Sequence, residues 1–167
     1  MQILGWRESV GMNSLGIDKI VAKVDTGART SALDATHITE FLDGEITFVR
    51  FTVNPGSGQP SLECTAQVIE QREVTDSGGH VEKRYVISVQ LQINDLEWPA
   101  EVTLTDRGTM KYRMLLGRSA LRKRFQVDPS RSFLSLKNAS GNSAEARQSS
   151  AEVSRLMDEW PDSDEEE

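Results

Sequence analysis

The sequence predicts an all-β body with one short helix near its end, and three observations carry that reading. Four runs, IDKIVAKV (17–24), GEITFVRFTV (44–53), ECTAQVIEQREV (63–74) and VEKRYVISVQLQI (81–93), alternate apolar and polar residues. They are rich in Val, Ile, Thr and aromatics, the residues that suit a half-buried strand. Turn chemistry stands between them: LDGE at 42–45, NPGSGQP at 54–60, TDSGGH at 75–80 and INDLEWP at 93–99. Within the body only GRSALRKRF (117–125) has helical spacing, with Leu121 and Phe125 four residues apart on one face.

Taken in order, the first run ends in AKVDTGARTSAL (22–33), where Asp25 follows Ile20, Val21 and Val24. A carboxylate carried toward an interior is costly unless paired or neutralised. Asp25 is therefore either a turn residue or a carboxylate that the chain needs there. The third and fourth runs are long and flank DSGG (76–79), which reads as a hairpin tip. In the fourth, Tyr85, Ile87, Val89, Leu91 and Ile93 share one face, and Val86 interrupts an opposite face of Ser88, Gln90 and Gln92. The helix stops before VDPS, and SFLSLK (132–137) reads as a last strand. From Asn138 the composition turns to Ser, Ala, Asn, Glu and Gln. There SAEARQSSAEVSRLMDEW has weak helical character, and PDSDEEE is too polar and charged to order itself. The expected organisation is one folded domain over 1–137 and an acidic, largely disordered tail over 138–167.

A chain of 167 residues is long enough for one domain with a core, and 37% hydrophobic content suits a soluble protein with a polar appendage. No run of 18 apolar residues is present, so no membrane span is expected. The N-terminus lacks a basic stretch leading into an apolar one, so no secretory leader is expected. Cys64 is the single cysteine, which fits a reducing compartment and a cytoplasmic location. The net charge of −7 is uneven: residues 138–167 hold nine acidic and two basic residues, leaving 17 of each sign in 1–137. The net acidity makes a nucleic-acid partner a poor match on charge alone, while a neutral body with many arginines is more open to one, and no nucleic-acid partner is expected.

Asp-Thr-Gly alone is a short match. Ninety residues later, however, YRMLLGRSAL (112–121) brings two apolar residues, Gly117 and Arg118 into the helix. A strand with VDTGA, a long hairpin (REVTDSGGHVEKRY, 72–85), ISVQLQINDLEWPAEVTLTD and then LLGR entering a helix resembles the retropepsin-like aspartic proteases. More specifically, LGWRESV, LGIDKIVAKVDTGARTSALDA and VTLTDRGTMKYRMLLGRSAL resemble the bacterial family labelled ATP-dependent zinc proteases, which is associated with RimK-type glutamate ligases. The resemblance runs from about Gly5 to Phe125. It implies a closed antiparallel β-barrel with a flap-like hairpin and one short C-terminal helix.

Peptide hydrolysis by carboxylates needs two of them on one water, and two carboxyls in contact share one proton. The resemblance makes Asp25 catalytic, with Thr26 bonding across to a partner turn and Gly27 letting amides approach the carboxylate. Only one such aspartate is present, so a homodimer is implied, with Asp25 of each subunit completing the dyad on a two-fold axis. Asp106 in LTDRG is the in-chain alternative. Substrate-binding residues carried over or placed nearby are Ala28, Arg29, Arg72, Gly78, Gly79, Arg84, Arg107, Lys111 and Arg118. Viral members place an acid where Arg29 stands, to pair with the arginine of the Gly-Arg element. A cleft framed by so many cations should prefer carboxylates, which arginine grips bidentately.

No metal and no other cofactor is expected. His37, His80 and Cys64 are not spaced as a ligand set, H-E-x-x-H is absent, and so is a P-loop. The expected function is an aspartic peptidase acting on acidic, glutamate-rich or glutamylated protein tails, with a functional link to a RimK-type ligase. The rival from another class is a non-catalytic module that holds acidic peptides in the same arginine-framed cleft. A zinc peptidase is a third reading.

Overall fold

The computed structural model describes residues 1–75, 78–106, 111–137 and 143–161. Its strands are β1 (Gln2–Leu4), β2 (Arg7–Met12), β3 (Ile17–Val24), β4 (Ser31–Asp34), β5 (Thr36–Asp43), β6 (Ile46–Val53), β7 (Leu62–Thr75), β8 (Val81–Ile93), β9 (Leu96–Thr105), β10 (Met114–Leu116) and β11 (Phe125–Val127). The helices are α1 (Arg118–Leu121), α2 (Leu134–Lys137) and α3 (Ser143–Glu159). Hydrogen bonding runs β2-β3-β10-β4-β9-β8, and β8 pairs back to β2, which closes a six-stranded barrel. The sheet continues from β8 through β7 and β6 to β5. The fold is thus the all-β, retropepsin-like barrel that the sequence predicts. Most pairs are antiparallel, but β10 runs parallel to β3, and β4 runs parallel to β9.

The alternation in β8 places Ile87, Val89, Leu91 and Ile93 in the core and leaves Ser88 and Gln90 exposed. Val86, on the other parity, is buried as well. It sits where β7 shifts register between Val68 and Glu70, and the bulge lets the chain bury a second face. The core joins the inner faces of β2, β3, β8, β9 and β10 to Val49, Phe51, Val53 and Cys64 of the sheet extension.

Three expectations need correction. The predicted helix over 117–125 is cut to Arg118–Leu121. Lys123 then adopts φ +68°, and Phe125 opens a strand that pairs with β1. SFLSLK is not a strand: Leu134–Lys137 is one helical turn. The reason is Glu8, fully buried in β2, whose carboxylate accepts from Leu134 N (3.0 Å), Ser135 N (3.1 Å), Ser135 Oγ (2.6 Å) and Gly5 N (2.6 Å). An acid at a helix start takes up amides that have no partner within the helix. Residues 143–159, where the sequence has weak helical character inside a tail expected to be largely disordered, form α3, and this helix docks on the body instead of standing free. Val153 and Leu156 pack with Val21, Tyr112 and Phe133, and Trp160 stacks on Tyr112 at 4.8 Å. The acidic stretch 162–167 lies outside the described residues.

Glu8 supplies a stability prediction. Burial, the larger influence, pushes its carboxyl up from the ordinary 4.5, and the bonds from Ser135, Gly5 and Leu134 pull it down. The folded chain therefore holds this proton more tightly than the unfolded one. The associated stability is fully present below pH 4.5 and is lost as pH rises through the raised value. Glu8→Gln should flatten that stretch of the stability–pH profile in urea titrations. Glu8→Ala strands four buried donors and should cost about 3 kcal/mol or more. A loss below 1 kcal/mol, by the same scale, would mean that α2 finds other acceptors.

Candidate functional site

β3 delivers Asp25 to one end of the barrel, between β2 and β10. Val24 N donates to Trp6 O at 2.7 Å, and Asp25 N donates to Leu116 O at 2.8 Å. The aspartate then makes its own turn: Gly27 N donates to Asp25 Oδ1 at 3.0 Å and Ala28 N to Asp25 O at 3.2 Å. This Asx-type bond fixes one carboxylate oxygen. The other makes no hydrogen bond among the described residues, and the side chain is half-buried rather than enclosed. Thr26 and Gly27 are exposed. A single chain therefore presents its carboxylate at an open edge.

The Gly-Arg element locks this loop from behind. Arg118 N donates to Ala28 O (2.8 Å), Ser119 N to Arg29 O (3.0 Å), and Gly117 N to Ser31 Oγ (3.0 Å). A Cβ at Gly117 would lie 2.6 Å from the Thr30 carbonyl carbon, so only glycine admits this approach. The Arg118 guanidinium donates to both Thr26 O and Gly27 O at 3.0 Å. The acid that viral members place at position 29 is thus replaced as its partner by two loop carbonyls. That contact braces the Asp25 loop from the side of its carbonyls. Arg118→Ala should lower kcat about tenfold with little change in KM, and Arg118→Lys should restore part of it, since one of two charge-assisted bonds survives. An unchanged kcat with a raised KM for acidic peptides only would assign Arg118 to the substrate instead.

The hairpin of β7 and β8 sets Arg72 directly opposite Arg84. Arg72 reaches back to the Asp25 loop, with Nη1 3.3 Å from Thr30 Oγ1, and also pairs with Glu70 (3.0 Å) and Glu101 (3.6 Å). Arg84 is more enclosed. Its side chain is 11% exposed, its contact to Glu82 is long at 3.5 Å, and its buried Nε has no partner among the described residues. Gly79 takes φ +85° at the hairpin tip, beside Gly78. Arg29 is exposed and its guanidinium is unpaired among the described residues. Ala28 is half-buried beside it.

Other predicted residues lie apart. Lys111 sits before β10, its ammonium 5.7 Å from the Tyr112 ring, and is not drawn to Asp25. Arg107 lies outside the described residues. In the β4–β9 register Ser31 faces Val102 at the level of the Asp25 loop, while Asp106 follows Thr105. Four strand positions separate it from that level, about 13 Å at roughly 3.3 Å per residue. The in-chain carboxylate pair is therefore out of reach. Asp34 is occupied by Arg113 at 3.2 Å. Among the described residues no group of three or more His, Cys, Asp or Glu could hold a metal ion. Cys64 donates to Leu15 O at 3.4 Å, and burial pushes its thiol up, which makes it inert.

The site has two components that sequence reasoning did not single out. Ser31, fully buried, ties Gly117 to β4, and Trp6 holds Val24 just ahead of the aspartate. The first contact joins segments 86 residues apart, and the second ties β3 to the residue just before β2.

Residues 3–138 match the family model RimB-like, described as retropepsin-like aspartic endopeptidase RimB. A protein of Shewanella halifaxensis named "Probable alpha-L-glutamate ligase" is 42% identical over 133 residues, covering 78% of this chain and 29% of that protein. A protein of the same name from Parasynechococcus marenigrum is 43% identical over 129 residues, covering 76% and 28%. The chain thus spans under a third of the length of these relatives. A solved structure from Legionella pneumophila, of a protein of unknown function in the class DUF785, superposes with a TM-score of 0.69. It is 28% identical, and the match covers 80% of this chain and 98% of that one.

Proposed function

We propose, from the premise that the chain belongs to the RimB-like family of retropepsin-like aspartic endopeptidases, that it is a homodimeric aspartic peptidase of acidic, glutamate-rich protein segments. The observation that carries this is the Asp25 turn, braced by Gly117 and Arg118 and open on one side, with Asp106, the in-chain alternative, four strand positions away. A two-fold axis at that edge brings two Asp25 carboxyls onto one water. The ionised one takes a proton as the water oxygen bonds to the scissile carbonyl carbon, and the protonated one gives its proton to the carbonyl oxygen. Return of a proton to the nitrogen breaks the C–N bond and leaves a carboxyl, an amine and the regenerated dyad.

The substrate class is supported by the cations around the loop, Arg29, Arg72 and Arg84, and by relatives whose names are those of glutamate ligases. A peptidase that removes what such a ligase adds would work beside it in the cytoplasm, where the lone thiol of Cys64 stays reduced. Among the described residues no helix is long and apolar enough to cross a membrane.

Incubation with poly-α-glutamate, a glutamylated protein and a neutral peptide, followed by mass spectrometry, tests the reading. New termini should appear in the acidic substrates, and activity per subunit should fall on dilution as the dimer dissociates. Intact acidic substrates at every protein concentration would refute it. The ligase names also favour a second reading, a module that presents acidic chains without cutting them. Peptide binding without new termini would select that one.

A further inference from the structure

β3 carries Asp25 between two neighbours, β2 on one side and β10 on the other. Each side supplies one backbone acceptor at the aspartate: Trp6 O takes the Val24 amide, and Leu116 O takes the Asp25 amide. The segments behind those two acceptors meet in one cluster. Arg7 follows Trp6, and Tyr112 lies four residues ahead of Leu116. The Arg7 guanidinium donates to Tyr112 OH at 3.1 Å, and the Trp6 and Tyr112 rings meet edge-on at 6.0 Å. Arg7 is fully buried, with its guanidinium 4.5 Å from the Trp6 ring centre and 5.1 Å from that of Phe133. It also donates to Ser132 Oγ at 3.0 Å.

The end of α3 closes this cluster. Trp160 N donates to Leu156 O at 2.7 Å, which carries the last helical turn on to the tryptophan. Its ring stacks on Tyr112 at 4.8 Å, with 21° between the planes. Arg7 Nη2 donates to Met157 Sδ at 3.6 Å, and Nη1 donates to the Pro161 carbonyl at 3.5 Å. Leu156 packs in the same cluster as Val21 of β3. One helix end thus touches β3 itself and the segments that hold it on either side. The family match ends at residue 138, so this cover comes from beyond the matched region.

The contact carries two costs. Arg7 holds a buried charge with no carboxylate partner among the described residues, and Trp160 Nε1 is a buried donor with no acceptor among them. Both subtract from the gain of burying Val153, Leu156 and the Trp160 ring. A surface contact of this kind opens more readily than the barrel. We propose that Trp160 is a positioning residue for Asp25: by closing α3 over Tyr112 and Arg7, it holds in place the two segments whose carbonyls fix the aspartate. This rests on the reading of Asp25 as the proton-transferring group of a peptidase.

Trp160→Ala and Trp160→Phe test this in the full chain, at protein concentrations where activity per subunit is constant. The readouts are hydrolysis of acidic peptides and hydrogen exchange followed by NMR. Trp160→Ala should lower kcat about tenfold with KM within about twofold of wild type, since a small displacement of a reacting group suffices for such a loss. Exchange at the Val24 and Asp25 amides should quicken about tenfold, while amides of β6 such as that of Phe51 keep their rates. Trp160→Phe keeps an aromatic ring on Tyr112 and drops the orphaned N–H, so kcat and both amides should return to within about twofold of wild type. An unchanged kcat in Trp160→Ala would overturn the proposal, as would a fall in kcat without faster exchange at those two amides. Equal quickening across β3 and β6 would overturn it too, because Trp160 would then serve stability alone. No hydrolysis by the wild-type chain would remove the peptidase reading and this role with it.

Discussion

Asp25→Asn should reduce hydrolysis of acidic peptides by on the order of 10³-fold or more, the loss typical when an essential proton-transferring group is removed from a concerted set. The fold should survive, because an amide oxygen can still accept the Gly27 amide that Asp25 Oδ1 now accepts at 3.0 Å. Neither Asp106 nor Asp34 can substitute: Asp106 is four strand positions away, and Asp34 is held by Arg113. Mixing wild type with Asp25→Asn adds a sharper test. If each dimer needs both aspartates, mixed dimers are dead, and activity falls as the square of the wild-type fraction once subunits exchange. A linear fall, or residual activity within a few-fold of wild type, would place the chemistry elsewhere.

The barrel strands were legible because alternation reports a half-buried sheet, and β3, β6, β7 and β8 fall on the four alternating runs. The Asp25 and Gly117–Arg118 elements were legible as a pair because each carries a local constraint, an Asx turn in one and a backbone approach closed to any Cβ in the other. Long-range contacts were not. Leu134–Lys137 has the composition of a strand and becomes a helical turn because Glu8, more than 120 residues earlier, takes its first amides. The docking of α3 was hidden for a similar reason. Val153, Leu156, Met157 and Trp160 make a thin apolar stripe in a polar segment, and their partners Val21, Tyr112 and Phe133 come from three separate parts of the chain. Lys111 was grouped with the cleft arginines by closeness to Gly117 in sequence, but the extended β10 carries the two apart.

The second large effect is expected at the base of the hairpin. Like charges directly opposite across a strand pair repel, and Arg72 and Arg84 are held in that relation. Each leans on an acid two residues before it, Glu70 and Glu82, yet Arg84 keeps a buried Nε without an acceptor among the described residues. An orphaned buried donor costs about 1–3 kcal/mol, a cost that an incoming carboxylate would remove. Arg84→Ala should therefore lower kcat/KM for glutamate-rich peptides about ten- to a hundredfold, the worth of one charge-assisted contact of roughly 1.5–3 kcal/mol. Arg72→Ala should cost less, because Glu70, Glu101 and Thr30 already occupy much of its fork. Arg29→Glu, which reverses an exposed and unpaired charge, should act mainly on binding and in a salt-dependent way. Neutral peptides should be cut by all three variants within about threefold of wild type, a difference below 1 kcal/mol. Thermal stability should hold or rise in Arg84→Ala, since the repulsion and the orphaned donor leave together. Equal losses on acidic and neutral peptides, with a fall in stability, would mean that the pair shapes the hairpin and that carboxylate recognition lies with other residues.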